Sequence, residues 1–328
     1  MKENNEAGIA DRGPLADLKL QLQSIIVGQE LLLDRLLIAL LAGGHVLLEG
    51  PPGLAKTTVV HALASGLHAA FQRVQFTPDL MPGDLTGSEI YEPANGSFRF
   101  VAGPLFHEVL LADEINRAPP KVQSALLEAM AAHPVTVGGT TRRLPELFLV
   151  LATQNPLEQS GTYPLPEAQL DRFLFKLVLD YPDLDEEIEI TRRARRANEG
   201  HVEAAVKPVL TPAEVLALRK QLDGVFIEER VERFAVELVV ATRRVGDYRP
   251  EWQGLVQAGA SPRASIALLR AATARAFLDG RDYVLPEDIV ALAPDVLRHR
   301  LVLDFAAEAD GVGADDIVSG LLTAVPAP

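Results

Sequence analysis

The run Val46-Leu47-Leu48-Glu49-Gly50-Pro51-Pro52-Gly53-Leu54-Ala55-Lys56-Thr57-Thr58 starts as a short apolar strand and breaks at glycine and proline. It then passes into a helical pattern. A turn of this composition wraps backbone N–H groups around a phosphate at the positive end of the following helix. In that geometry Lys56 reaches the β- and γ-phosphates, the Thr57 hydroxyl ligates Mg²⁺, and the residues from Gly50 to Thr58 form the cradle. The spacing fits Gly-x-x-x-x-Gly-Lys-[Ser/Thr] except at Ala55, which stands where the second glycine is expected. On this stretch alone, an ordinary Gly/Pro turn before a helix stays open.

Working outward, helical periodicity covers Pro14 to Ile26 and Leu31 to Leu41, the second run ending at Gly43-Gly44. Strands are expected at His45–Leu48, Arg73–Thr77, Val109–Ala112, Leu147–Ala152 and Phe173–Leu179, with helices at Lys56–Leu67 and from Pro119-Pro120 to Ala132. Near-continuous apolar strands such as Val109-Leu110-Leu111-Ala112 suit a parallel sheet covered on both faces. Two hairpins interrupt the alternation. One joins Ile90–Glu92 to Phe98–Val101 around Asn95-Gly96, the other joins Val135–Val137 to Thr141–Leu144 around Gly138-Gly139. The first reads as an insertion between core strands. Composition changes at Tyr181-Pro182-Asp183, and everything beyond reads as helical, which predicts a parallel α/β sheet followed by a small helical domain.

Length and composition agree with about two globular domains. The absence of cysteine excludes a disulfide framework and a cysteine-based zinc site. A net charge of −14 argues against a broad nucleic-acid footprint. The basic run Arg192, Arg193, Arg195 and Arg196 follows Glu186, Glu187 and Glu189 and reads as a solvated, internally paired helix face. No stretch approaches the roughly 18 apolar residues of a membrane span. The polar N-terminus lacks the apolar centre of a signal peptide. A cytoplasmic location without membrane insertion is expected.

Asp113 and Glu114 follow an apolar strand, so their carboxylates emerge where open α/β sheets bind ligands. Asp113 is placed to hold Mg²⁺ and Glu114 to polarise an attacking water; acidic pairs there also serve as helix caps. Asn155 ends the neighbouring strand, where its amide can orient that water; taken alone, a turn residue before Pro156 is the plainer reading. Arg172 precedes the last strand and fits an arginine finger reaching a neighbouring subunit, worth roughly a thousandfold in rate. A surface ion pair is the plainer reading. Arg263 opens a helix of the second domain, where a cation opposes the helix dipole, and it is a candidate for contact with the phosphates.

Several long strings then resemble the MoxR family of AAA+ ATPases: Gly50 to Thr57, Gln75 to Asp84, Leu111 to Pro120, Leu151 to Pro156 and Gly161 to Phe173. The resemblance covers nearly the whole chain after Leu15 and implies a P-loop αβα core with an all-helical lid. The implied division is a flexible segment at 1–14, an ATPase core at 15–181 and a lid at 182–328. Within the core, a helix-2 insert falls at about 78–103 and a pre-sensor hairpin at about 134–144. It also implies Lys56 and Thr57 in Walker A, Asp113 and Glu114 in Walker B, Asn155 as sensor 1, Arg172 as arginine finger and Arg263 as sensor 2. Val27 and Gly28 sit where such proteins hold adenine, and Ala55 is a form common in the family. The cofactors implied are ATP or ADP with Mg²⁺. The assembly implied is a homo-oligomeric ring, usually a hexamer, with a partner carrying a von Willebrand factor A domain and a protein-complex client to mature or remodel. A nucleic-acid motor and a magnesium-chelatase-like metal-insertion subunit are the alternatives.

Overall fold

The computed structural model describes residues 13–51, 54, 56–94, 96–132, 134–155, 161–198 and 206–328. Pro52, Gly53 and Ala55 of the expected phosphate loop lie outside the described residues, as do 1–12 of the expected N-terminal segment.

Two helices, α1 (Gly13–Ile25) and α2 (Glu30–Ala42), precede strand β1 (Val46–Glu49). Gly43 ends α2 in the left-handed conformation at φ 64°, its N–H returning to the Ala39 and Leu40 carbonyls. Then follow α3 (Lys56–Gly66), β2 (Phe71–Gln75), α4 (Pro82–Thr86) and the hairpin β3 (Gly87–Glu92) and β4 (Ser97–Ala102). Next come β5 (Val109–Asp113), α5 (Pro120–Ala132), the hairpin β6 (Pro134–Val137) and β7 (Thr140–Arg143), β8 (Leu149–Gln154), α6 (Glu167–Leu170) and β9 (Phe175–Val178). Gly138 and Gly139 both take positive φ, as a two-residue hairpin turn of the primed type requires.

Five strands form one parallel sheet in the order β2-β5-β8-β1-β9. Each hairpin forms its own two-stranded sheet outside it. Alternation along the inner strands sorts side chains between two cores. Val46, Leu48, Val109, Leu111, Leu149 and Leu151 face one, while Leu47, Leu110, Ala112, Val150 and Ala152 face the other. Strand β2 starts two residues earlier than the periodicity predicts, because Phe71 pairs with Val109 and stacks edge-on to His61. Phe76, beyond the strand, is fully buried and still donates its N–H to the Asp113 carbonyl.

The remainder is mainly helical: α7 (Leu184–Asn198), α8 (Pro212–Gln221), α9 (Glu229–Ala241), α10 (Val245–Tyr248), α11 (Pro262–Leu278), α12 (Pro286–Leu297), α13 (Phe305–Ala309) and α14 (Ala314–Ala324). It also holds a short antiparallel pair, β10 (Val256–Ala258) with β11 (Val302–Leu303), where uninterrupted helix is expected. Its apolar faces merge with α1, α2 and α3 into one core. A buried ion pair between Arg35 and Asp295, 2.6 Å apart, pins α2 to α12. Among the described residues no helix is long and apolar enough to cross a membrane.

Candidate active site

Strand β1 lies where the strand order reverses, between β8 and β9, so its carboxyl end opens onto a crevice suited to a ligand. Gly50 is required there, since a Cβ would come within 2.6 Å of the Leu179 carbonyl. Lys56 begins α3 and donates from Nζ to the Gly50 carbonyl at 2.7 Å. Burial pulls its pKa below the usual lysine value, opposed by the nearby carboxylates of Asp113, Glu114 and Glu49.

A cavity of about 430 Å³ gathers Gly50, Leu54, Lys56, Thr57, Thr58, Asp113, Glu114 and Asn155. Seven of the expected phosphate-loop and carboxylate positions and the expected water-positioning amide therefore face one space within a single chain. The donors fit Mg²⁺. Thr57 supplies a hydroxyl and Asp113 a carboxylate, hard oxygens of the kind that hold this ion through one or two protein ligands plus phosphates. Among the described residues no group of three or more His, Cys, Asp or Glu forms a metal cage.

Side chains not singled out in the sequence complete the wall. Arg73 of β2 donates to Asp113 at 2.5 Å. Gln75 donates from Nε2 to Glu114 Oε2, also at 2.5 Å. Thr153 bridges the two acids, donating from Oγ1 to Asp113 at 2.6 Å and accepting from the Glu114 N–H at 2.8 Å. Arg117 pairs with Glu114 at 3.1 Å. Glu114 itself adopts a left-handed backbone at φ 57°, ψ 50°, a conformation that costs a non-glycine residue about 1–2 kcal/mol. Such strain persists where surrounding contacts over-determine it. The signal was available in the alternation Arg73-Val74-Gln75-Phe76. Its apolar members mark the strand, and its polar members lie beside the end of β5, with Gln75 opposite Asp113.

Gly28 lines a second, smaller cavity of about 260 Å³ with Leu177, Leu179, Tyr181 and Pro182. It has φ +70°, and a Cβ on it would run into the Glu186 carboxylate. Val27 is half-buried and does not line this space. Leu179 joins the two cavities, since Gly50 packs against it.

Arg172 and Arg263 are elsewhere. Neither lines the phosphate-loop cavity. Arg172 is exposed just after α6. Arg263, at the start of α11, points a largely exposed guanidinium to Asp171 at 3.7 Å. The same Asp171 accepts from buried Arg300 Nε at 2.7 Å, while Arg300 Nη2 donates to the Asp171 and Phe173 carbonyls at 3.2 and 2.6 Å. His299 shares the Phe173 carbonyl at 3.1 Å. Burial, reinforced by the Arg300 cation, pushes His299 well below its usual pKa, so it is neutral and donates from Nε2. The segment carrying Arg172 is thus clamped by the residues just after α12.

The phosphate-loop sheet with a helical appendage defines an AAA-type ATPase. Residues 45–175 match the family described as "ATPase family associated with various cellular activities (AAA)", and residues 253–321 match an AAA lid domain. The chain is 45% identical to Chaperone MoxR1 of Mycobacterium tuberculosis over 314 residues, spanning 94% of this chain and 81% of the relative. It is 35% identical to Protein MoxR of Methylorubrum extorquens, spanning 97% and 96%. A crystal structure of a putative ATPase from Cytophaga hutchinsonii superposes with a TM-score of 0.90 at 46% identity, covering 97% of this chain and 96% of that one. The chain belongs to the MoxR family of AAA+ ATPases.

Proposed function

We propose that this chain hydrolyses ATP with Mg²⁺ at the interfaces of a homo-oligomeric ring, and that the ring acts as a chaperone maturing or remodelling protein complexes. One observation carries the reading. Lys56, Thr57, Asp113, Glu114 and Asn155 share a cavity, while Arg172 and Arg263 stand outside it on another exposed edge. A neighbouring copy that brings that edge to the cavity completes the site.

In this reading the loop N–H groups and Lys56 hold the phosphates, and Asn155 orients the water against the γ-phosphate. Glu114 accepts its proton once released from Gln75 and Arg117. Bound Mg²⁺, held by Thr57 and Asp113, would neutralise charge between the β- and γ-phosphates. Arg172 from the neighbour stabilises the charge that develops in transfer, with Arg263 beside it on the same edge. Gly28 and the β9–α7 connection receive the adenine. The chaperone role rests on the likeness to Chaperone MoxR1, and a subunit count of six and a partner with a von Willebrand factor A domain belong to the same proposal.

The test is the specific ATPase rate against chain concentration. The expected rate per chain rises steeply as rings assemble, and Arg172→Ala abolishes the rise while leaving nucleotide binding intact. A rate per chain independent of concentration, in a chain shown to stay monomeric, would contradict an interfacial site. Affinity capture with Glu114→Gln in ATP then identifies the partner and client; this variant is expected to hold both longer than the wild type.

A further inference from the structure

At the amino ends of the strands, opposite the ATP cavity, a cavity of about 550 Å³ lies between the core and the helical region. Two arginines converge in it. Arg219 of α8 donates from Nε to the Leu40 carbonyl at 2.8 Å, and Arg270 of α11 donates from Nη2 to the Ala42 carbonyl. Both guanidiniums sit over Gly43, where a Cβ would lie 3.4 Å from Arg219 Nη1 and 3.4 Å from Arg270 Nη2.

Neither cation forms an ion pair with any described carboxylate, including Glu146 and Asp223 on the cavity wall. Arg219 Nη2 is buried without a hydrogen-bond partner. Burial, and then repulsion from Arg270, push the Arg219 pKa down to about 10. Capping α2 accounts for one cation and for one of the five N–H groups of each guanidinium. It does not account for a second cation beside the first, nor for the donors left over. Like charges brought together in a half-buried site are the arrangement that planar oxyanion recognition uses, since the arginine fork matches phosphate and carboxylate. The rest of the wall is substantially apolar, with Phe148, Leu222 and Ile227, and the volume falls within the range of small-molecule sites.

We propose that this cavity binds a small molecule carrying a phosphate or carboxylate on an apolar body. The oxyanion lies between the Arg219 and Arg270 forks over Gly43, and the body packs on Phe148, Leu222 and Ile227. Because the arginines come from α8 and α11 and Gly43 from the end of α2, the ligand ties the helical region to the core from the side remote from ATP.

The test uses the full chain saturated with Mg·ADP and follows its Tm with phenyl phosphate, benzoate, inorganic phosphate and benzyl alcohol. Phenyl phosphate or benzoate is expected to raise the Tm by several degrees once well above its Kd; whichever acts more strongly names the oxyanion. Inorganic phosphate acts more weakly and benzyl alcohol not at all. The double variant Arg219→Met, Arg270→Met is expected to weaken the response about tenfold or more, through lost charged hydrogen bonds. An equal response in the double variant, an equal response to benzyl alcohol, or no wild-type response to any probe overturns the proposal. A crystal structure of the wild type with phenyl phosphate decides the matter even if the double variant does not fold. Phosphorus between Arg219 and Arg270 supports the site, and phosphorus found only beside Lys56 overturns it.

Discussion

The two halves of the proposed catalytic apparatus are held in different ways. The half around Lys56, Asp113 and Glu114 sits at the carboxyl ends of inner parallel strands, its acids restrained by Arg73, Gln75, Thr153 and Arg117. The half carrying Arg172 and Arg263 is anchored by its neighbours, Asp171 and Phe173, to Arg300 and His299, while its own guanidiniums stay exposed. The acids of the first half are restrained; the second half is braced from behind and open in front. That difference is what a site divided between two copies of a chain requires. It also places the brace in the helical region, so a shift of that region relative to the sheet moves the segment that carries Arg172.

The largest expected effects come from cutting each half at its centre. Arg172→Ala should lower assembled-ring turnover about a thousandfold, and Glu114→Gln on the order of a hundredfold or more. Both should leave nucleotide affinity nearly unchanged in equilibrium titrations; a large loss of affinity would mean that the residue binds ground-state nucleotide. Asp171→Asn comes next. It leaves buried Arg300 without its carboxylate, and breaking such a pair costs about 3 kcal/mol, measurable by denaturant unfolding. Turnover should fall about tenfold at unchanged nucleotide affinity if Arg172 depends on this brace. Unaltered turnover in a chain that remains folded would separate the brace from catalysis.

Gln75→Leu removes a hydrogen bond to the Glu114 carboxylate without touching the phosphate loop. Basal turnover is expected to rise a few fold, in keeping with one charged hydrogen bond in a partly exposed site. A fall would show that Gln75 aligns Glu114 rather than restraining it.

The smallest effect is on pH dependence. His299 has a depressed pKa in the folded chain, whereas the unfolded chain binds a proton near pH 6.5. Below about pH 6.5 the unfolded state therefore holds more protons, and stability falls with a slope of up to about 1.4 kcal/mol per pH unit. The contribution is fully present above that pH. His299→Gln should flatten this acid limb in unfolding curves recorded from pH 7.5 to 5.5; an unchanged limb would place the titration in another group.

Much of the fold was legible because its strands are short apolar runs, punctuated by glycine and proline, that alternate with amphipathic helices. Val46-Leu47-Leu48 and Val109-Leu110-Leu111-Ala112 announce a covered parallel sheet, and Gly138-Gly139 announces its turn. Lys56, Thr57, Asp113, Glu114 and Asn155, which face the phosphate-loop cavity, were legible too, since each stands at the end of a strand or the start of a helix. Contacts that exist only after folding were not. Gln75 meets Glu114 across 39 positions and Arg300 meets Asp171 across 129, and no local pattern marks either pairing. Arg263 shows the same limit from the other side: its helix start was legible, but not that it would stand with Asp171 rather than in the cavity.

The most direct measurement of a divided site mixes two inactive chains. Glu114→Gln carries an intact Arg172, and Arg172→Ala carries an intact Glu114. Each alone should be nearly without ATPase activity. Mixed and reassembled, they should recover turnover, because an Arg172→Ala cavity beside a Glu114→Gln subunit again has every group. Recovery that peaks near equal proportions is the predicted result. Mixed rings, verified to contain both chains, that show no turnover above either variant alone would contradict a site shared between subunits.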